Sequence, residues 1–152
     1  MKLAEALILR ADSQTKISQL RQRLVNVAKV QEGEIPSEDP QDLLRELNES
    51  FKQLETLIQQ INRTNSQANF GEDLTLSDAL AKRDVLSMRR KMLNALVEAA
   101  SSLQSRYSRS EIKMCSTIDI AETQKQIDRL AKQYRELDTK IQAMNWQIDL
   151  LE

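Results

Sequence analysis

Apolar residues recur along most of this chain in alternating steps of three and four. That is the period of α-helices packed side by side along a narrow seam. Over about Lys2–Val30 the repeat runs through Leu3, Ala6, Arg10, Ser13, Ile17, Leu20, Leu24 and Val27. Arg10 and Ser13 are polar breaks, which cost stability but can fix register or mark a water-filled pocket. The first turns are apolar nearly all round, because Leu3, Leu7, Ile8 and Leu9 cannot share one face, so more than one neighbour is expected there. A second repeat, Leu44, Leu47, Phe51, Leu54, Ile58 and Ile61, is narrow and regular, with a charged opposite face.

The third helix, about Leu76–Leu103, carries two stripes. One is Leu76, Ala79, Leu86, Leu93, Val97 and Ala100; the other is Val85, Met88, Met92, Leu96, Ala99 and Leu103. A helix apolar on two faces belongs at the centre of a bundle or at a subunit interface. Arg83 and Arg90 fall on the line of the first stripe and are expected to pair with acids or to snorkel over packed stems. The fourth repeat is the most regular: Ile120, Thr123, Ile127, Leu130, Tyr134, Leu137, Ile141, Met144, Ile148 and Leu151.

Breakers and caps separate these runs. Gly33 and Pro36 mark a loop, after which Asp39 caps a helix opened by Pro40. That helix should end near Asn65, and a second loop over about Ser66–Leu74 contains Gly71. Thr75 with Asp78 forms a capping-box pattern, and Asp119 with Glu122 repeats it. With only two glycines, two prolines and 3% aromatic residues, the composition points to long helices and away from sheet. The fold expected is all-α: a single domain over residues 1–152, built as an elongated antiparallel bundle or coiled coil of four long helices. Its leftover apolar faces are expected to close in a homo-oligomer.

A net charge of −1 gives no bias toward nucleic acid or membrane, but the charge is uneven. Acids crowd residues 32–55 and bases crowd residues 82–113. The favoured explanation is that the acidic second helix and basic third helix face one another, within a chain or between chains. The alternative is a basic patch for an anionic partner. No secretory leader is read at the start, where Glu5 interrupts the apolar run, and no stretch nears the ~20 apolar residues of a membrane span. A single cysteine cannot form an internal disulfide, so the chain is read as cytoplasmic.

The absent residues exclude much chemistry. Without histidine the chain lacks the commonest general base and metal ligand. One cysteine excludes a thiolate zinc site, and two isolated glycines leave no phosphate-cradling loop. No catalytic residue, metal or cofactor is expected, and the chain is read as non-enzymatic. Asn62-Arg63-Thr64 matches a glycosylation acceptor and is discounted without a secretion signal. Met88 and Met92 are read as core filler, and Cys115 as a buried, inert thiol. Trp146 is either a packed anchor or an interface residue.

The densest chemistry lies in residues 105–119, SRYSRSEIKMCSTID. Arg106, Tyr107, Arg109, Glu111 and Lys113 form the candidate anion- or partner-binding group, through guanidinium forks. The structural alternative, which is favoured, pairs an arginine with Glu111 and uses the hydroxyl residues to satisfy backbone where helices break. Further aromatics for stacking on single-stranded nucleic acid are missing, so nucleic acid is disfavoured.

MKLAEALILRADSQ at the start, INRTN at 61–65, RYSRSEIK at 106–113, STID at 116–119 and IQAMNW at 141–146 resemble the septicolysin-like family of small bacterial proteins. The resemblance covers nearly the whole chain and implies an all-helical bacterial protein; it carries no catalytic residues. The family name implies a cytolysin, which makes a membrane-active, pore-forming protein the main alternative. The leading expectation is a helical protein with a structural or protein-binding role through homo-oligomerisation.

Overall fold

The structure, a computed structural model, describes residues 1–102 and 112–152. Apart from one small hairpin it is helical, as the seams predict. The helices are α1 (Leu3–Val27), α2 (Pro40–Gln67), α3 (Leu76–Ser101) and α4 (Ile120–Asn145). A small hairpin, β1 (Asn69–Gly71) with β2 (Leu74–Thr75), lies between α2 and α3. The expected caps are in place. Asp39 accepts from the Gln41 N–H at 2.9 Å. Thr75 and Asp78 satisfy each other's backbone N–H groups at 3.2 and 2.8 Å, and Asp119 accepts from Glu122 N–H at 3.0 Å.

The chain divides into two compact units, residues 1–69 with 143–152, and residues 70–142. In the first, α1 and α2 run antiparallel: Lys16 pairs with Glu46 at 3.3 Å, and Arg23 with Glu38 beyond the end of the helix. Leu20, Val27 and Leu43 are buried together, with Leu24 and Leu47 packed against them. The α1 seam is the one expected, and Arg10 and Ser13 are half-buried within it.

The α2 seam is not the one expected. Leu43, Leu47, Ser50, Leu54, Ile61 and Thr64 turn inward, while Leu44 and Phe51 stay exposed. The seam is rotated by one residue over the first half of the helix. A serine can hold an inward position because its hydroxyl donates to the Glu46 carbonyl at 2.8 Å, and among the described residues no buried side-chain polar atom lacks a partner.

The two chain ends are stitched in this unit. Leu3 N–H donates to the Ile148 carbonyl and Leu150 N–H to the Met1 carbonyl, both at 2.9 Å. Lys2 Nζ donates to the Gln147 carbonyl at 3.0 Å and lies 2.8 Å from Asp149. This stitch ends α4 at Asn145, short of the heptad pattern that continues to Leu151. Leu151 N–H donates to Thr64 Oγ1 at 2.9 Å, and that hydroxyl donates to the Gln60 carbonyl at 2.8 Å. Thr64 is 1% exposed, so the discounted glycosylation triplet ends on a buried threonine.

In the second unit α3 and α4 are also antiparallel. Arg83 reaches Asp138 at 2.7 Å, and the Arg90 guanidinium lies 5.8 Å from the centre of the Tyr134 ring. The first stripe of α3 is the buried one, with Leu76, Ala79 and Leu86 innermost; Ile127 and Leu130 of α4 are buried as its own seam predicts.

Candidate interaction surface

The second stripe of α3 is the surface the sequence placed at the centre of a bundle or at a subunit interface. In the structure Met88 is 67% exposed and Met92 64%, and Val85 and Leu96 are exposed with them. The reading of Met88 and Met92 as core filler is therefore overturned. Their helix makes one packed seam, toward α4; among the described residues only the segment around residues 114–118 lies beside the other apolar face, at its end near Leu96 and Ala99. At 100° per residue the two stripes are centred roughly 125° apart, so the packing that buries the first leaves most of the second outside.

Acids of the α2 region and bases of α3 find partners inside their own units. Glu46 and Glu38 are matched by Lys16 and Arg23, beside α1. The Arg23 guanidinium, hydrogen-bonded to Glu38, holds that carboxyl below the usual carboxylate range. Arg83 and Arg90 of α3 are taken up by α4.

Of the candidate anion-binding group, Arg106, Tyr107, Arg109 and Glu111 lie outside the described residues. Lys113 is described and exposed. Cys115 is exposed, which overturns its reading as a buried thiol. It shares a cavity of about 340 Å³ with Leu96, Met114 and Ile118. Trp146 is 57% exposed and is not a packed anchor.

Sequence reasoning missed the hairpin and the cleft it roofs. Glu72 and Asp73 form its two-residue turn with φ of 52° and 60°, and Gly71 has φ 104°. Hairpin turns with both central residues left-handed ordinarily use Asn-Gly or Asp-Gly, so Glu-Asp carries no such signal. The cleft, about 370 Å³, has Phe70, Leu74, Leu86 and Leu137 along its apolar side and Lys82, Lys140, Glu72 and Glu136 as charged lining. Lys140 Nζ sits 4.6 Å from the centre of the Phe70 ring. Two bases and two acids give the cleft no net preference for one charge. Among the described residues no group of three or more Asp, Glu, Cys or His side chains is placed to hold a metal ion. No described helix is long and apolar enough to cross a membrane.

A family model described as a family of unknown function (DUF6847) matches residues 10–150. The chain belongs to that family. The match takes in both helical units and the segment between α3 and α4, so all the surfaces described above lie within it or at its margin. A crystal structure of a functionally unknown conserved protein from Corynebacterium diphtheriae is similar over 99% of both chains, with 48% identity and a TM-score of 0.94. No curated protein matches the sequence.

Proposed function

We propose that this DUF6847 protein is a non-enzymatic helical protein that works by protein association, beginning with association between its own copies. The observation that carries this reading is the exposed second stripe of α3, where Val85, Met88, Met92 and Leu96 stand out of a well-capped helix. Contiguous exposed apolar surface of this kind marks interaction sites, and methionine is well suited to adaptable contacts. The unpaired, exposed Cys115 supports a cytoplasmic location, where a reducing milieu keeps such a thiol free. Light scattering on the purified protein tests the reading. Oligomers that dissociate on dilution are expected, and Met88→Asp with Met92→Asp should yield a monomer of unchanged helicity. A clean monomer at micromolar concentrations and above overturns it.

One observation favours a second reading, association with a membrane surface in keeping with the septicolysin resemblance. Met1, Ile8 and Leu9 are exposed together around a largely apolar hollow at the start of α1, which Glu5 also lines. Such a patch could lie in a lipid interface without spanning it. Flotation with liposomes that is lost in Ile8→Asp would support this reading, and unbound protein with no dye leakage would remove it.

A further inference from the structure

The exposed face of α3 has its own register, and that register specifies a partner. Ala81, Val85, Met88, Met92, Ala95 and Ala99 are all exposed and follow steps of four, three, four, three and four. At 100° per residue they fall within roughly 80° of one another on the helix. Their line is centred roughly 160° away from that of Leu76, Leu86 and Leu93, so α4 does not stand in front of it. Among the described residues this is a coiled-coil seam without a second helix; only at its end does Ala99 line the cavity shared with Met114 and Ile118.

We propose that the second strand is α3 of another copy of this chain, in parallel and in register. The proposal rests on the reading of self-association and names the surface and orientation that would bring it about. The flanks of the seam carry the argument for orientation. Lys82, Arg89 and Leu96 line one edge, and Asp84, Lys91 and Glu98 the other. In a parallel, in-register pair, Asp84 of each copy lies against Arg89 of the other, five residues on, which gives two attractive contacts by symmetry. Lys91 then lies along Leu96 of the other copy, and no like charges meet among these edge residues. The antiparallel alternative that aligns all six seam positions sets Ala81 against Ala99, Val85 against Ala95 and Met88 against Met92. It also sets Arg89 against Arg89, Lys91 against Lys91 and Asp84 against Glu98, and like charges facing each other oppose it. The Asp84 carboxylate and the Arg89 guanidinium have no ion-pair or hydrogen-bond partner among the described residues. The alanines at Ala81, Ala95 and Ala99 let the two backbones approach closely on either side of the Val85–Met92 centre.

Two measurements on the full chain test this. In a Cys115→Ser background, Val85→Cys places the two new thiols face to face in the parallel pair, within the reach of a disulfide. In the antiparallel pair those positions are offset along the axis by about 15 Å, beyond that reach. Mild oxidation followed by a non-reducing gel is expected to show a covalent dimer. Sedimentation of Asp84→Arg and of Arg89→Asp is expected to show association weakened on the order of threefold to tenfold in each, restored when both are combined. A chain that self-associates yet gives no Val85→Cys disulfide, or whose association the charge reversals leave unchanged, overturns the parallel α3 pair and leaves the broader reading standing. A chain that stays monomeric overturns both.

Discussion

Thr64 shows how much one side chain can decide. Its hydroxyl is buried, accepts the Leu151 N–H and donates to the Gln60 carbonyl, so it ties the last residues of the chain to α2. Thr64→Val keeps the shape but removes the acceptor. A loss of about 1–3 kcal/mol is expected in denaturant unfolding, the usual cost of an abandoned hydrogen-bond partner, with Thr64→Ser close to wild type. The hairpin offers the opposite sign. Glu72 and Asp73 hold left-handed backbone without glycine. Replacing the pair by Asn-Gly is expected to raise the melting temperature, an effect of about 1 kcal/mol, because the native turn then carries less strain. Three of the described carboxylates are held below their ordinary range by their partners. Asp78 is lowered by accepting the Thr75 N–H and hydroxyl, Asp149 by the Lys2 ammonium, and Glu38 by the Arg23 guanidinium. Each folded value lies below the unfolded one, so each contribution is present above the ordinary carboxylate range and is lost as pH falls through the lowered value. Asp78→Asn should therefore flatten the fall in stability below about pH 4, and an unchanged acid limb would contradict the role given to the cap.

At the scale of the element, α2 separates a pattern from its use. Leu44, Leu47, Phe51, Leu54, Ile58 and Ile61 form a valid heptad line, yet the helix packs along Leu43, Leu47, Ser50 and Leu54. The apolar band on this helix is wider than the seam a single neighbour can cover, so the facing helix chooses its edge. Leu43→Ala is expected to cost roughly 2–4 kcal/mol, because it opens a hole beside Leu20 and Val27, whereas Leu44→Ala should cost less than about 1 kcal/mol. Equal losses would put the seam back on the predicted line. Helix α3 makes the same point with two bands. Charged and polar stops were easier to read than seams: Asp39, Thr75 and Asp119 sit at the helix starts their chemistry predicts, because a cap is a local interaction within a few residues.

At the scale of the whole molecule, the apolar face of α3 links stability to concentration. If copies associate through it, the folded state is favoured by mass action and the melting temperature rises with protein concentration. Met88→Asp with Met92→Asp should abolish that dependence and leave the melting temperature of the dilute protein nearly unchanged, since both side chains are already in water. A concentration-independent transition in the wild-type chain would contradict association through this face.

Periodicity and caps determined the four helices among the described residues and the line of the α1 and α4 seams, since each depends on local spacing alone. Tertiary structure decided the rest. It chose which band of α2 and of α3 would be inside, because a helix with more apolar surface than one partner can cover leaves the choice to the partner. It gave Glu46 and Glu38 to Lys16 and Arg23 and gave Arg83 and Arg90 to α4, because charge pairing follows the packing of helices that no local pattern states. It also stopped α4 at Asn145, where the hydrogen bonds offered by Met1, Leu3 and Thr64 outcompete another turn and a half of helix.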